Sequence, residues 1–224
     1  MKNFIQIGFI ILLFASCSPA NQIKVSQAYK GMYSEQPLSV LVMPPINKTT
    51  NVDAKEYFHS SLNVPLANAG FYIIPPFLSM EILKRESAYD AELFLDAPLA
   101  KFGEVFNADL ALFTIIHKWD KGYSVVKVEV EYILKSVKTN EILYTRRGVV
   151  DYNTTVSSQG GLLLNMALTA INTAATNYID VARITNSYTF KDLPSGKYSP
   201  NYRTDGEKLA GLKVFKVALN SSYY

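Results

Sequence analysis

Residues 124–136 constrain the fold more than any other stretch. Val126, Val128, Val130, Tyr132 and Leu134 occupy every second position, with Lys127, Glu129, Glu131 and Lys135 among the residues between them. Side chains of an extended chain alternate between faces, so this is a strand with one buried and one solvated side, as in antiparallel sheets. Its flanks agree. Asp109 to Ile116 is nearly all apolar and reads as a strand covered on both faces, with His117 to Gly122 as the turn between the two. Lys138-Thr139-Asn140-Glu141 reads as a hairpin turn, asparagine being able to take positive φ, and leads into a strand from Glu141 to Tyr152.

The upstream half alternates strand and helix. Leu38 to Met43 is an apolar run closed by Pro44-Pro45, the pattern of a buried strand. A helix is expected from about Asp53 to Asn63, with Ala54, Tyr57, Phe58 and Leu62 at helical spacing. Pro65 bends or restarts it, because proline has no N–H to donate, and Gly70 stands where a C-cap belongs. Phe71 to Ile74 is a short strand stopped by Pro75-Pro76, and helices are expected over 78–85 and 98–106.

Gly160-Gly161 opens the longest expected helix, running to about Arg183. Asn165, Thr169, Asn172, Thr176, Asp180 and Arg183 form one polar stripe. Leu163, Met166, Ala167, Ala170, Ile171, Ala174, Tyr178 and Val181 fill the rest. A membrane span is the rival reading, disfavoured by Asp180 and Arg183 in the stripe. The order β-α-β-α-β-β-β-α describes an α/β domain (an α+β sandwich) over residues 38–186, with a mixed sheet of about five strands. Residues 187–224 carry interleaved aromatic and basic residues and read as an extended segment wrapping the domain; the sharper alternative is a docking segment for another envelope protein.

The chain opens on a different pattern. Lys2 precedes an uncharged apolar run from Phe4 to Ala15, and Ala15-Ser16-Cys17 follows. That is the layout of a signal peptide over 1–16, and small residues directly before a cysteine match the bacterial lipobox, in which the thiol is acylated and the cysteine becomes the N-terminus. The run is shorter than the roughly 20 residues a membrane span needs. Cys17 is the only cysteine, so it has no internal disulfide partner, and acylation accounts for its position and its solitude. Ser18, rather than aspartate, matches the outer-membrane address of enterobacterial lipoproteins. Residues 17–37 then read as the acylated cysteine and a flexible tether ending at Pro37.

Hydrophobic residues at 49% and charged residues at 18% suit a chain that builds a core. The net charge of +3 falls by one without Lys2 and supports no nucleic-acid partner. The only histidines, His59 and His117, lie far apart. Zinc spacing, a nucleophile elbow and a P-loop are absent from the sequence, so no metal or cofactor is expected. His59-Ser60-Ser61 sits on an expected helix, where successive residues do not face one another. Glu129 and Glu131, flanked by lysines, read as a salt-bridged solvent face. The candidate ligand loop is Pro44 to Asn51. It joins a strand's carboxyl end to a helix N-terminus, where free N–H groups hold anions, and Asn47, Lys48, Thr49 and Thr50 would assist. Capping of that helix by Thr50, Asn51 or Asp53 is the simpler account. Gly160-Gly161 is a weaker version of the same arrangement.

Val42-Met43-Pro44-Pro45-Ile46-Asn47, Pro65-Leu66-Ala67 with Gly70-Phe71-Tyr72, and Ala108-Asp109 leading to Trp119 resemble a family of bacterial lipoproteins of unknown function named after a neisserial genome-derived antigen. Leu193-Pro194-Ser195-Gly196 with Tyr198 and Pro200 resembles that family's closing segment. Asn107 and Asn140 stand where the family carries glycine, and asparagine is the next residue to tolerate positive φ; Tyr144 replaces a tryptophan. The resemblance implies a fold similar to the TolB N-terminal domain and to CsgG-like secretion lipoproteins. It also implies an accessory role in an envelope transport, secretion or assembly system, and no catalytic residues. The expected protein is non-enzymatic, held by its N-terminal lipid on the periplasmic face of the outer membrane. Its expected partners are other envelope proteins, such as CsgG-like or other lipoproteins, or further copies of itself in a homo-oligomer. The alternative is a small-ligand or glycan-binding lipoprotein using the 44–51 loop.

Overall fold

The computed structural model describes residues 23–155, 157, 159 and 161–220. The expected signal peptide, Cys17, the start of the tether and Gly160 lie outside the described residues. Two short helices come first, α1 (Val25–Ala28) and α2 (Lys30–Glu35). Here the expected flexible tether is corrected. Val25, Tyr29 and Met32 recur at helical spacing and are buried, and the Tyr29 ring packs 5.0 Å from that of Tyr144. A polar composition concealed a three-residue apolar face.

Strands β1 (Ser39–Val42) and β2 (Ile46–Asn47) flank the Pro44-Pro45 pair. Helix α3 (Ala54–Ser61) follows, then α4 (Asn63–Asn68), with Pro65 in the first turn of α4, where its missing N–H breaks no bond. Next come β3 (Tyr72–Ile73), α5 (Pro76–Arg85), a 3₁₀ turn (Ala91–Phe94) and α6 (Ala100–Phe106). Three long strands form the centre: β4 (Leu110–Lys121), β5 (Val125–Ser136) and β6 (Ile142–Asn153). Helices α7 (Gly161–Ala175) and α8 (Tyr178–Phe190) and strand β7 (Val214–Leu219) complete the order.

The strands form one mixed sheet in the order β3-β1-β4-β5-β6-β7, with β2 also beside β4. Pairings through β4, β5 and β6 are antiparallel, and β7 runs parallel to β6. The sheet has seven strands, not five, because β2 is only two residues long and β7 lies in the charged tail. The tail is therefore not merely a wrapping segment; it closes one sheet edge. The expected turn at 117–122 is also corrected. β4 continues to Lys121, with a register shift at His117 that keeps Ile116 and Trp119 both buried.

Alternation in β5 is realised fully: Val126, Val128, Val130, Tyr132 and Leu134 are completely buried under α3, α4 and α8. On the opposite face, α5 and α6 cover only the β1–β4 half, through Leu41, Met43, Phe113, Leu83 and Phe102. Trp119 sits within 6 Å, ring to ring, of Tyr57, Phe58 and Tyr178, which ties β4 to α3 and α8.

The expected helix over 160–183 is two helices. Asn177 leaves helical geometry and its side-chain oxygen accepts from the Ile179 N–H at 3.2 Å, capping α8. Asp180 adds a favourable charge in the first turn of α8.

Candidate functional site

The 44–51 loop bonds chiefly to itself. Asn47 Oδ1 accepts from the Thr49 N–H at 3.0 Å and from its hydroxyl at 2.8 Å, while Asn47 Nδ2 donates to the Asn51 carbonyl at 2.7 Å. Thr49 Oγ1 accepts from the Asn51 N–H, and Asn51 Oδ1 accepts from the Asp53 N–H at 3.1 Å. Asn51 thus serves the start of α3, and Asp53 makes no side-chain cap. Lys48 Nζ lies 3.9 Å from Glu92, an exposed pair of little energetic weight. Thr50 is exposed.

His117 and the nearby Glu129 have structural partners, whereas the buried His59 Nε2 has no hydrogen-bond partner among the described residues. His117 Nε2 lies 2.8 Å from Glu131, and Glu129 accepts from Arg147 at 2.8 and 2.6 Å. His59 is buried on α3, and desolvation holds its imidazole below the usual histidine range against the pull of Glu56. Ser60 and Ser61 donate to the carbonyls of Glu56 and Tyr57. Burial raises the Tyr132 and Tyr144 hydroxyls, so both stay protonated. Among the described residues no group of three or more His, Cys, Asp or Glu is placed to hold a metal ion.

The segments carrying the family resemblance are joints. Asp109 accepts from the backbone N–H of Leu38 at 2.8 Å and of Ser39 at 3.0 Å, fixing the start of β1. Gly70, at φ +89°, and Gly196 bring two backbones together: Gly196 N–H donates to Ala69 and Tyr198 N–H to Gly70. A Cβ on Gly196 would lie 2.4 Å from the Gly70 carbonyl oxygen. Arg146 pairs with Asp192, donates to the Thr189 carbonyl at 2.7 Å and lies over the Phe215 ring. A cleft of about 340 Å³ opens beside this clip, but its carboxylates are engaged: Asp192 by Arg146 and the Gly211 N–H, Asp205 by Tyr33 and the Ser195 N–H.

Among the described residues, α7 leaves an apolar surface uncovered. On α7 only Thr169 and Thr173 are buried. Thr173 Oγ1 lies 2.6 Å from Thr154 Oγ1 and 2.8 Å from the Tyr123 carbonyl, and Asn172 donates to the Thr154 carbonyl at 2.7 Å. Tyr123 in turn donates to the Met166 carbonyl. The polar stripe therefore faces the protein, and the apolar side faces solvent. Leu163 is 82% and Ile171 64% exposed, and Leu162, Leu164 and Met166 are exposed too. Polar-out patterning pointed the other way, because it takes no account of hydroxyls that bond to strand ends. One signal was available: no charged residue stands between Asp151 and Asp180, which is unusual for a helix whose polar face meets water.

A family model described as "Putative lipoprotein GNA1162-like" matches residues 27–197. "Putative lipoprotein NMB1124/NMB1162" of Neisseria meningitidis serogroup B is 23% identical over 156 residues, 68% of this chain and 72% of its own. Among solved structures, lipoprotein GNA1162 from Neisseria meningitidis is 24% identical, with a TM-score of 0.49 over 60% of this chain and 95% of that one. A PelC dodecamer from Paraburkholderia phytofirmans is 17% identical, with a TM-score of 0.37 over 61% of this chain and 86% of that one.

Proposed function

Since the chain belongs to the family described as "Putative lipoprotein GNA1162-like", we propose that it is a non-enzymatic interaction subunit, held by an acylated Cys17 on the periplasmic face of the outer membrane. It serves an envelope transport, secretion or assembly system. The observation that carries this reading is α7, whose polar side is bonded inward and whose apolar side is exposed. Monomers rarely leave a contiguous apolar patch in water, and such patches mark contact sites. The lipobox at Ala15-Ser16-Cys17 supports the location. The engagement of His117, Glu131, Asp192 and Asp205 in internal bonds supports a role by contact. The 44–51 loop, bonded to itself, favours no second reading.

The test is a photo-crosslinking residue in place of Ile171 in growing cells. Illumination is expected to give a discrete protein adduct, from a CsgG-like lipoprotein, another envelope protein or a second copy. Recovery of the free chain alone would overturn the reading.

A further inference from the structure

We propose that α7 is a self-association surface, against which a second copy of this chain lays its own α7 in antiparallel orientation. The inference deepens the reading of an interaction subunit, and rests on it, by naming the occupant of the surface. Directly opposite the bonded Thr169 and Thr173, the outward face of α7 carries Leu164, Ala167, Ile171 and Ala174. Their spacing of three, four and three residues is the seam of a helix that packs on another helix. Large and small side chains alternate along it. Read backwards the seam is Ala, Ile, Ala, Leu, so an antiparallel copy sets Leu164 against the partner's Ala174 and Ala167 against the partner's Ile171. Every layer then pairs a large side chain with a small one, and the alanines let the axes approach at the close end of the helix-packing range. A two-fold contact needs this kind of self-complementarity.

Charge selects the same occupant. With no charged residue between Asp151 and Asp180, two copies meet without like-charge repulsion. The same absence argues against a bilayer, because helices that lie on membranes carry Lys and Arg along their polar face. Position argues against it too. The N-terminal segment packs where Tyr29 meets Tyr144, whereas α7 is bonded to Thr154. Those points lie about 33 Å apart along the strand, at opposite ends of the sheet.

The test uses the full chain in its own membrane, with two differently tagged copies co-expressed. One carries Leu164→Cys and the other Ala174→Cys, while the sole native cysteine is assigned to acylation. Mild oxidation is expected to link the two tags into one disulfide-bonded pair. Neither variant alone should link to itself, because like positions would lie about 15 Å apart along the helix axis. Adding Ile171→Asp to both copies should lower the yield about tenfold or more, since carboxylates would be buried without partners. Leu164→Cys linking to itself would overturn the antiparallel arrangement. An absence of linkage, or a yield indifferent to Ile171→Asp, would overturn the second copy as occupant. An adduct to a different protein would do the same while leaving the interaction-subunit reading intact; no adduct of any kind would remove both.

Discussion

At the scale of single residues, Asn186 joins three elements from inside the core. It is fully buried on α8, accepts from the Tyr132 hydroxyl of β5 and donates to Ser61 of α3 at 2.8 Å. Asn186→Ala leaves the buried Tyr132 hydroxyl without its acceptor, while Ser61 keeps its bond to the Tyr57 carbonyl, and is expected to cost about 2 kcal/mol in denaturant titration. Tyr132→Phe combined with it should cost clearly less than the two single changes added, because the hydroxyl would no longer need a partner. His59 gives a pH dependence. Burial lowers its folded-state pKa, so below the ordinary histidine pKa the unfolded chain binds the proton more readily. Stability is therefore full above that value and falls as the pH drops through it toward the folded-state pKa. The fall in thermal midpoint on acidification from pH 7.5 should be shallower in His59→Leu than in the wild type. Equal profiles would refute the assignment.

At the scale of elements, α7 and α8 divide the labour that one long helix was expected to share. Asn177→Ala removes the α8 cap and should cost about 1 kcal/mol. Ile171→Asp on the outer face of α7 should shift protomer stability by no more than about 0.5 kcal/mol, since Ile171 is 64% exposed. A larger loss in the isolated protomer would mean that the face is packed after all. Legibility divides along similar lines. The strands β4 to β6, the asparagine turns at 107 and 140 and the Pro65 restart were readable, because alternation, positive φ and a missing N–H act locally; Asn107 and Asn140 do take φ of 52° and 63°. The burial of Val25, Tyr29 and Met32, the parallel pairing of β7 and the inward turn of the α7 stripe were not. Each depends on a partner more than sixty residues away, or on hydroxyls whose hydrogen-bond partners lie at strand ends.

At the scale of the whole molecule, the C-terminal region is a clasp. Gly196 meets Gly70, Asp192 holds Arg146, Asp205 receives Tyr33, and β7 covers the edge of β6. Removing the chain from residue 212 onward would bare that edge along its length, and an open edge is a template for aggregation. The truncated chain is expected in the insoluble fraction, and a soluble, monomeric product would contradict the clasp. Gly70 and Gly196 of this clasp lie in segments that carry the family resemblance. Contact with envelope partners presupposes a fixed location, and the location rests on Cys17. The most direct measurement is the intact mass of the N-terminal peptide from native membranes. A peptide beginning at Cys17 and carrying fatty acyl groups is the predicted result. An unmodified Cys17, or a mature chain beginning elsewhere, would contradict it.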